Sequence, residues 1–240
     1  ITYLGSGNTA FTDPVFLGSE AVAVVAFVLF LRHVKGHDAP FIPYRLLRGK
    51  GFGVMNAINL IYGAAALGFG ALVPLYAEDR YGMGSLEGGT LLTARAFGVV
   101  VVAALAAMAL RRTGYRLPMI VGFAVLGVGL LLLALPPHGL PPYGWLAVAA
   151  AITGLGMGLS VPASNNASLQ LAPDQVAAIA GLRGMFRQAG GIVAISVTTA
   201  VVARSANPGA TLADVFLIVA VLVVASIAMV FAVPDHRSGW

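Results

Sequence analysis

Leu117-Pro-Met-Ile-Val-Gly-Phe-Ala-Val-Leu-Gly-Val-Gly-Leu-Leu-Leu-Leu-Ala-Leu135 contains no charged residue and nothing more polar than methionine. At a helical rise of 1.5 Å per residue the run reaches about 28 Å, close to the ~30 Å hydrocarbon thickness of a bilayer. A basic cluster, Arg111, Arg112 and Arg116, precedes it, and Pro136-Pro137 ends it. Six further apolar stretches follow the same design, at residues 15–31, 52–76, 88–110, 143–162, 189–203 and 213–233. The sixth of the seven is short as bounded and is expected to begin near Ala178, with two arginines in its first turns. Strands do not compete, because backbone groups in lipid must be satisfied within the segment or in a closed barrel.

Composition agrees. Of 240 residues 59% are hydrophobic and 10% charged, with mean hydropathy +0.91, whereas soluble domains carry about 25% charged residues. The fold class is therefore all-α, a polytopic membrane bundle of seven helices. The net charge of +5 does not indicate nucleic acid, because the basic residues sit in the breaks between apolar runs rather than on one face. With no cysteine, disulfides, thiolate metal sites and cysteine nucleophiles are excluded. No basic leader precedes the first apolar run, and the opening Ile-Thr-Tyr-Leu reads as a fragment or processed chain.

Lys and Arg distribution orients the bundle. One side receives Arg32, Lys35, Arg45, Arg48, Lys50, Arg111, Arg112, Arg116, Arg183, Arg187 and Arg237; the other receives Arg80 and Arg204. By the positive-inside rule the N-terminus is expected outside and the C-terminus in the cytoplasm. Tyr76, Tyr81, Tyr143 and Trp145 are then expected at the outer interface, and Tyr44 and Tyr115 at the inner one. Between Arg32 and Gly51, Pro40 and Pro43 stop the first helix, and Arg45, Arg48 and Lys50 alternate with Leu46 and Leu47. This pattern suits a short amphipathic segment on the inner leaflet. The six later helices divide three plus three around 136–142, as transporter half-domains do.

Arg95 is left inside the third helix, where an unpaired charge is costly and should face a cavity or partner; the plain alternative is snorkelling outward, toward Glu87. Asn56 and Asn59 share a face near the start of the second helix and either contact substrate or join helices. Gly154 and Gly158 form a small-xxx-small pair for close packing or a moving contact, with Pro162 and Asn165-Asn166 marking the helix exit. Arg183 and Arg187, four apart, share a face that either snorkels or lines a cavity mouth, with Gln188, Gly190 and Gly191 just above. Glu20, Glu87 and Asp214 lie near outer helix ends and every histidine lies in a loop, so no proton-coupling residue is evident. No catalytic motif, metal-binding cluster or cofactor signature is present.

Several of these stretches together resemble the major facilitator superfamily, specifically the C-terminal half of the fourteen-helix drug:proton antiporters of the EmrB/QacA type. The residues are Pro40–Phe52; Pro74-Leu-Tyr76 with Tyr81-Gly-Met-Gly-Ser85 and Gly88-Gly89; Leu91-Leu-Thr-Ala-Arg95; and Gly154–Pro162 followed by Gly181 and Arg187-Gln-Ala-Gly190-Gly191. The loop Arg111-Arg-Thr-Gly-Tyr-Arg116 departs from the family's Asp-Arg-x-Gly-Arg pattern by placing Arg111 at the Asp position. The resemblance implies an outer N-terminus and linker helix over 1–34, a cytoplasmic amphipathic linker over 35–51, and a six-helix C-terminal domain over 52–240. It further implies multidrug or small-molecule efflux across the cell membrane, by alternating access with proton antiport. Substrate would bind against an N-terminal half that these residues lack. Two other classes stay open: a non-transporting membrane partner, and a seven-helix receptor. A retinal protein is disfavoured because 213–233 holds no lysine.

Overall fold

The computed structural model describes residues 14–36, 46–47, 49 and 51–233. The helices are α1 (Pro14–Gly36), α2 (Phe52–Tyr81), α3 (Ser85–Thr113), α4 (Arg116–Ala134), α5 (Pro142–Gln170), α6 (Val176–Val202), α7 (Pro208–Ala225) and the one-turn α8 (Ile227–Val230). The first seven are each long and apolar enough to cross a membrane. The amphipathic reading of Pro40, Pro43, Tyr44, Arg45, Arg48 and Lys50, and the terminal Arg237, fall outside the described residues.

Local chemistry sets the ends. α2 stops at Gly82, whose φ of 66° is the left-handed conformation that suits glycine. The Gly82 N–H then donates to the Glu78 carbonyl and the Met83 N–H to that of Ala77, at 2.9 and 3.2 Å, closing the helix end. Glu87 accepts from the Gly84 N–H at 3.0 Å at the start of α3. Asn207 caps α7 by accepting from the Ala210 N–H at 3.1 Å, with Pro208 in the first helical position.

Two sequence expectations need correction. Pro162 does not mark an exit, because α5 runs on to Gln170. Proline there withdraws only one N–H from the ladder, the one that would reach the Gly158 carbonyl, and membrane helices tolerate such a loss. Ser160 donates to the Gly156 carbonyl at 2.9 Å, and Asn166 to that of Pro162 at 2.8 Å. His33 also lies inside α1 rather than in a loop. Arg183 and Arg187 lie two and three turns into α6, which starts at Val176, close to the expected Ala178.

α2 to α7 pack in a symmetric scheme. The closest pairs are α3 with α5, α4 with α5, and α2 with α6, followed by α4 with α7 and α2 with α7. Exchanging α2 with α5, α3 with α6 and α4 with α7 maps this set onto itself, the mark of a three-plus-three inverted repeat. α1 stands apart. Val22 and Phe27 are exposed, and it meets the bundle near its C-terminal end, where Phe27 and Phe30 share an apolar groove with Leu47, Leu182 and Phe186.

Aromatic residues tie off the far end of the bundle. α4 leaves carbonyls without helical partners in its last turn. Trp145 Nε1 donates to the Leu132 carbonyl at 2.8 Å and the Tyr76 hydroxyl to that of Leu133 at 2.9 Å. Tyr76 is thus fully buried rather than facing headgroups, packed edge-on against Phe216 and Tyr81. Tyr76→Phe should leave the Leu133 carbonyl unpaired and lower stability by about 1–2 kcal/mol, readable as a fall in thermal midpoint of the purified protein.

Candidate functional site

Two helix crossings build the site, and they are near copies. At the first, α3 meets α5. A methyl added to Gly154 would fall on the backbone carbonyl of Arg95, and one added to Gly98 would lie 2.6 Å from the Ala151 carbonyl oxygen and 3.0 Å from Leu155 N. At the second, α2 meets α6. A methyl on Gly63 would fall on the carbonyl of Arg187, and one on Gly190 on that of Leu60, 3.1 Å from Ala64 N. The sequences match in spacing: Arg95-Ala-Phe-Gly98 against Arg187-Gln-Ala-Gly190, and Ile61-Tyr-Gly63 against Ile152-Thr-Gly154. Backbone touches backbone at both crossings, as small residues permit. Arg95 and Arg187 are therefore equivalent positions of the repeat.

Each arginine projects from its crossing near mid-helix. Arg95 lies about 15 Å along α3 from Ser85, and Arg187 about 17 Å along α6 from Val176. Arg95 places its guanidinium carbon 4.7 Å from the centre of the Phe69 ring and donates from Nε to the Met157 sulfur at 3.3 Å. Arg187 sits 4.9 Å from the centre of the Tyr62 ring. Tyr62 and Phe69 are seven apart on α2, so they share a face and lie about 10 Å apart along the axis. Arg95 thus turns into the bundle, toward α2 and α5; Glu87 is engaged elsewhere, by the Gly84 N–H.

These contacts do not neutralise the charges. An arginine at mid-bilayer depth costs about 2.5–3.5 kcal/mol on insertion scales, and a cation–π contact returns about 0.5–2 kcal/mol. Arg187 Nε has no acceptor, and neither does the Tyr62 hydroxyl, although Tyr62 is only 5% exposed. Glu78 and Asp79 lie in the last turn of α2, Glu87 in the first turn of α3, Asp174 in the turn before α6, and Asp214 on the exposed side of α7. The centre of the bundle is rich in donors and poor in acceptors.

The other candidates sit around this pair. Asn56 donates to the Leu46 carbonyl at 3.0 Å and to that of Leu47 at 3.4 Å, holding the segment before α2 against its first turn. Asn59 donates to the Met55 carbonyl of its own helix at 2.8 Å and is fully buried. Arg183 donates to Asn165, joining α6 to the end of α5. Gly158 packs on the backbone of Val99 and Ala103, and Gly191 on the Leu67 side chain. Gln188 is exposed and does not join the buried group. Among the described residues no cluster of His, Asp or Glu could hold a metal ion.

A family model described as the Major Facilitator Superfamily matches residues 9–195 and, in a second alignment, 55–240. The chain belongs to the Major Facilitator Superfamily. Among curated superfamily relatives, the "Multidrug transporter protein MdtP" of Bacillus subtilis is 26% identical over 208 residues, 85% of this chain and 38% of that protein. The "Quinolone resistance protein NorB" of Staphylococcus aureus is 27% identical over 200 residues, 82% of this chain and 42% of that protein. The "Methylenomycin A resistance protein" of Bacillus subtilis is 29% identical over 202 residues, 83% and 43% respectively. The chain spans about two fifths of the length of these relatives. It is a multi-pass membrane protein of a transporter superfamily.

Tyr62, Phe69 and Met157 were not singled out from sequence. The signal that could have found them is the paired Arg-x-x-Gly and Ile-x-Gly spacing, which locates the two crossings and hence what lies beside each arginine.

Proposed function

We propose that these residues are the C-terminal half of a fourteen-helix drug:proton antiporter of the EmrB/QacA type, exporting amphipathic small molecules by alternating access. The observation that carries this is the pair of glycine crossings bringing two arginines, each near mid-helix, onto one aromatic wall, within a superfamily chain whose relatives are named for drug resistance. Inverted-repeat transporters place substrate near the bilayer midplane at a repeat interface. In this reading Arg95 contributes to the substrate cavity, and the opposite wall comes from an N-terminal half. Asn56, Asn59 and Gln188 border it, and Gly154, Gly158, Pro162, Arg183, Gly190 and Gly191 shape the helix contacts that move or hold during gating.

The test is accumulation of a fluoroquinolone in a host stripped of its own pumps. The full-length protein should lower it, and a protonophore should restore it. Unchanged accumulation at verified membrane expression defeats the export reading. Activity in proteoliposomes from this chain alone, matching that of a chain extended upstream, would instead make it a self-sufficient unit.

Orientation and coupling follow from the same reading. With the N-terminus outside, a single cysteine at Ser85 should react with an impermeant maleimide in intact cells, while one at Thr113 should not. The reverse pattern inverts the topology. Proton coupling is assigned outside these residues, because the carboxylates here lie near helix ends or in loops. Glu20→Gln, Glu87→Gln and Asp214→Asn should each retain proton-driven flux within about threefold of wild type; abolition by any one places coupling in this bundle.

A further inference from the structure

We propose that Arg95, Arg187 and the Tyr62 hydroxyl line, along a face about 10 Å long, a binding site for an aromatic small molecule that carries an oxyanion, a carboxylate or sulfonate. The proposal rests on the transport reading above and narrows its substrate class.

Three observations carry it. The two guanidiniums are presented by equivalent crossings of the inverted repeat, so their joint presence on one wall is built into the fold rather than incidental. Both are met by aromatic faces and a thioether, none of which cancels a full positive charge. The Tyr62 hydroxyl is buried without an acceptor, and so is Arg187 Nε directly above its ring. Buried donors of this kind are paired in stable proteins, and beside two guanidiniums the acceptor that suits them best is an oxygen bearing negative charge. Phe69, Tyr62 and Met157 supply apolar surface beside the charge for a flat ring system. A cationic drug would meet like charge here, and none of the described carboxylates lies at mid-helix beside the pair.

The rival occupant is a carboxylate from another part of the transporter, closing the pair as an internal salt bridge. A matched set of probes separates the two: 1-pyrenebutyrate, 1-pyrenebutanol and 1-pyrenebutylammonium, which share a ring system and differ in head-group charge. Binding to the full-length protein in phosphatidylcholine nanodiscs is followed by fluorescence, with empty nanodiscs as the partition blank.

The acid should bind at least tenfold more tightly than the alcohol, and the ammonium least tightly. Arg95→Gln and Arg187→Gln should each bring acid and alcohol within threefold of one another. Arg95→Lys should keep part of the preference, since it retains charge without the forked donors. Tyr62→Phe should weaken the acid two- to fivefold and leave the alcohol unchanged. Equal wild-type affinities, the result an internal carboxylate would give, overturn the proposal, as does tightest binding of the ammonium. An acid preference that survives both glutamine variants overturns it too. Acid-selective binding without probe efflux from energised proteoliposomes would leave the site standing and remove the export reading.

Discussion

Alanine at Gly190 or Gly154 is expected to cut the yield of folded protein sharply and to lower its stability by about 2–4 kcal/mol. A methyl at either position would land on a backbone carbonyl of the facing helix, that of Leu60 or Arg95. A side chain can rotate away, but a helix backbone cannot. Relief therefore requires moving α6 from α2, or α5 from α3, and losing packing along the whole seam. Gly181 and Gly184 supply the control within α6, because a methyl there meets nothing within 4 Å. Gly181→Ala and Gly184→Ala should match wild type or exceed it by up to about 1 kcal/mol, alanine being the better helix former. Denaturant titration of all four variants in one detergent reads the difference. Equal stabilities across the set would show that the crossings are looser than the structure places them.

Arg95→Ala should reduce transport by the full-length protein at least tenfold while leaving insertion and thermal stability near wild type. The separation of these readouts is the point. Removing a charge from mid-helix relieves a cost to the membrane-inserted state, and what is lost is one cation–π contact and a weak bond to sulfur. A residue kept only for structure would show the opposite, a fall in stability with activity following in proportion. Arg95→Lys should recover part of the flux, because charge persists while the planar donor fork does not. Wild-type rates in both variants, at matched surface expression, would remove Arg95 from the cavity.

The bundle was largely legible from sequence because lipid imposes a simple rule on length and polarity, met by runs such as 117–135 without help from tertiary context. The extension of α6 back past Arg183 was also readable, since Val176-Ala-Ala-Ile-Ala180 is an apolar, alanine-rich run ahead of it. What misled was punctuation. Pro162 reads as a stop because proline breaks helices in water, yet a membrane helix tolerates the loss of one N–H and α5 continues to Gln170. Tyr76 reads as an interfacial aromatic, and its spacing gives no sign that its hydroxyl closes the Leu133 carbonyl at the end of α4. The arginines were visible as anomalies, and their relation was not. It depends on which helices cross, and α2 pairs with α6 across most of the chain.

That long-range pairing has a consequence during synthesis. α3, α4 and α5 are neighbours in order and can assemble as soon as α5 enters the bilayer. α2 enters before them but finds its closest partner only when α6 appears. At about 5–20 residues per second, Gly190 leaves the ribosome on the order of ten seconds after Gly63. Through that interval the groove beside Tyr62 has only lipid or neighbouring chains against it, and Arg187 reaches its aromatic seat only when α6 closes the groove. Slowed translation between α5 and α6 should therefore prolong a state open to capture by the wrong helix, making this stretch the vulnerable window of biogenesis.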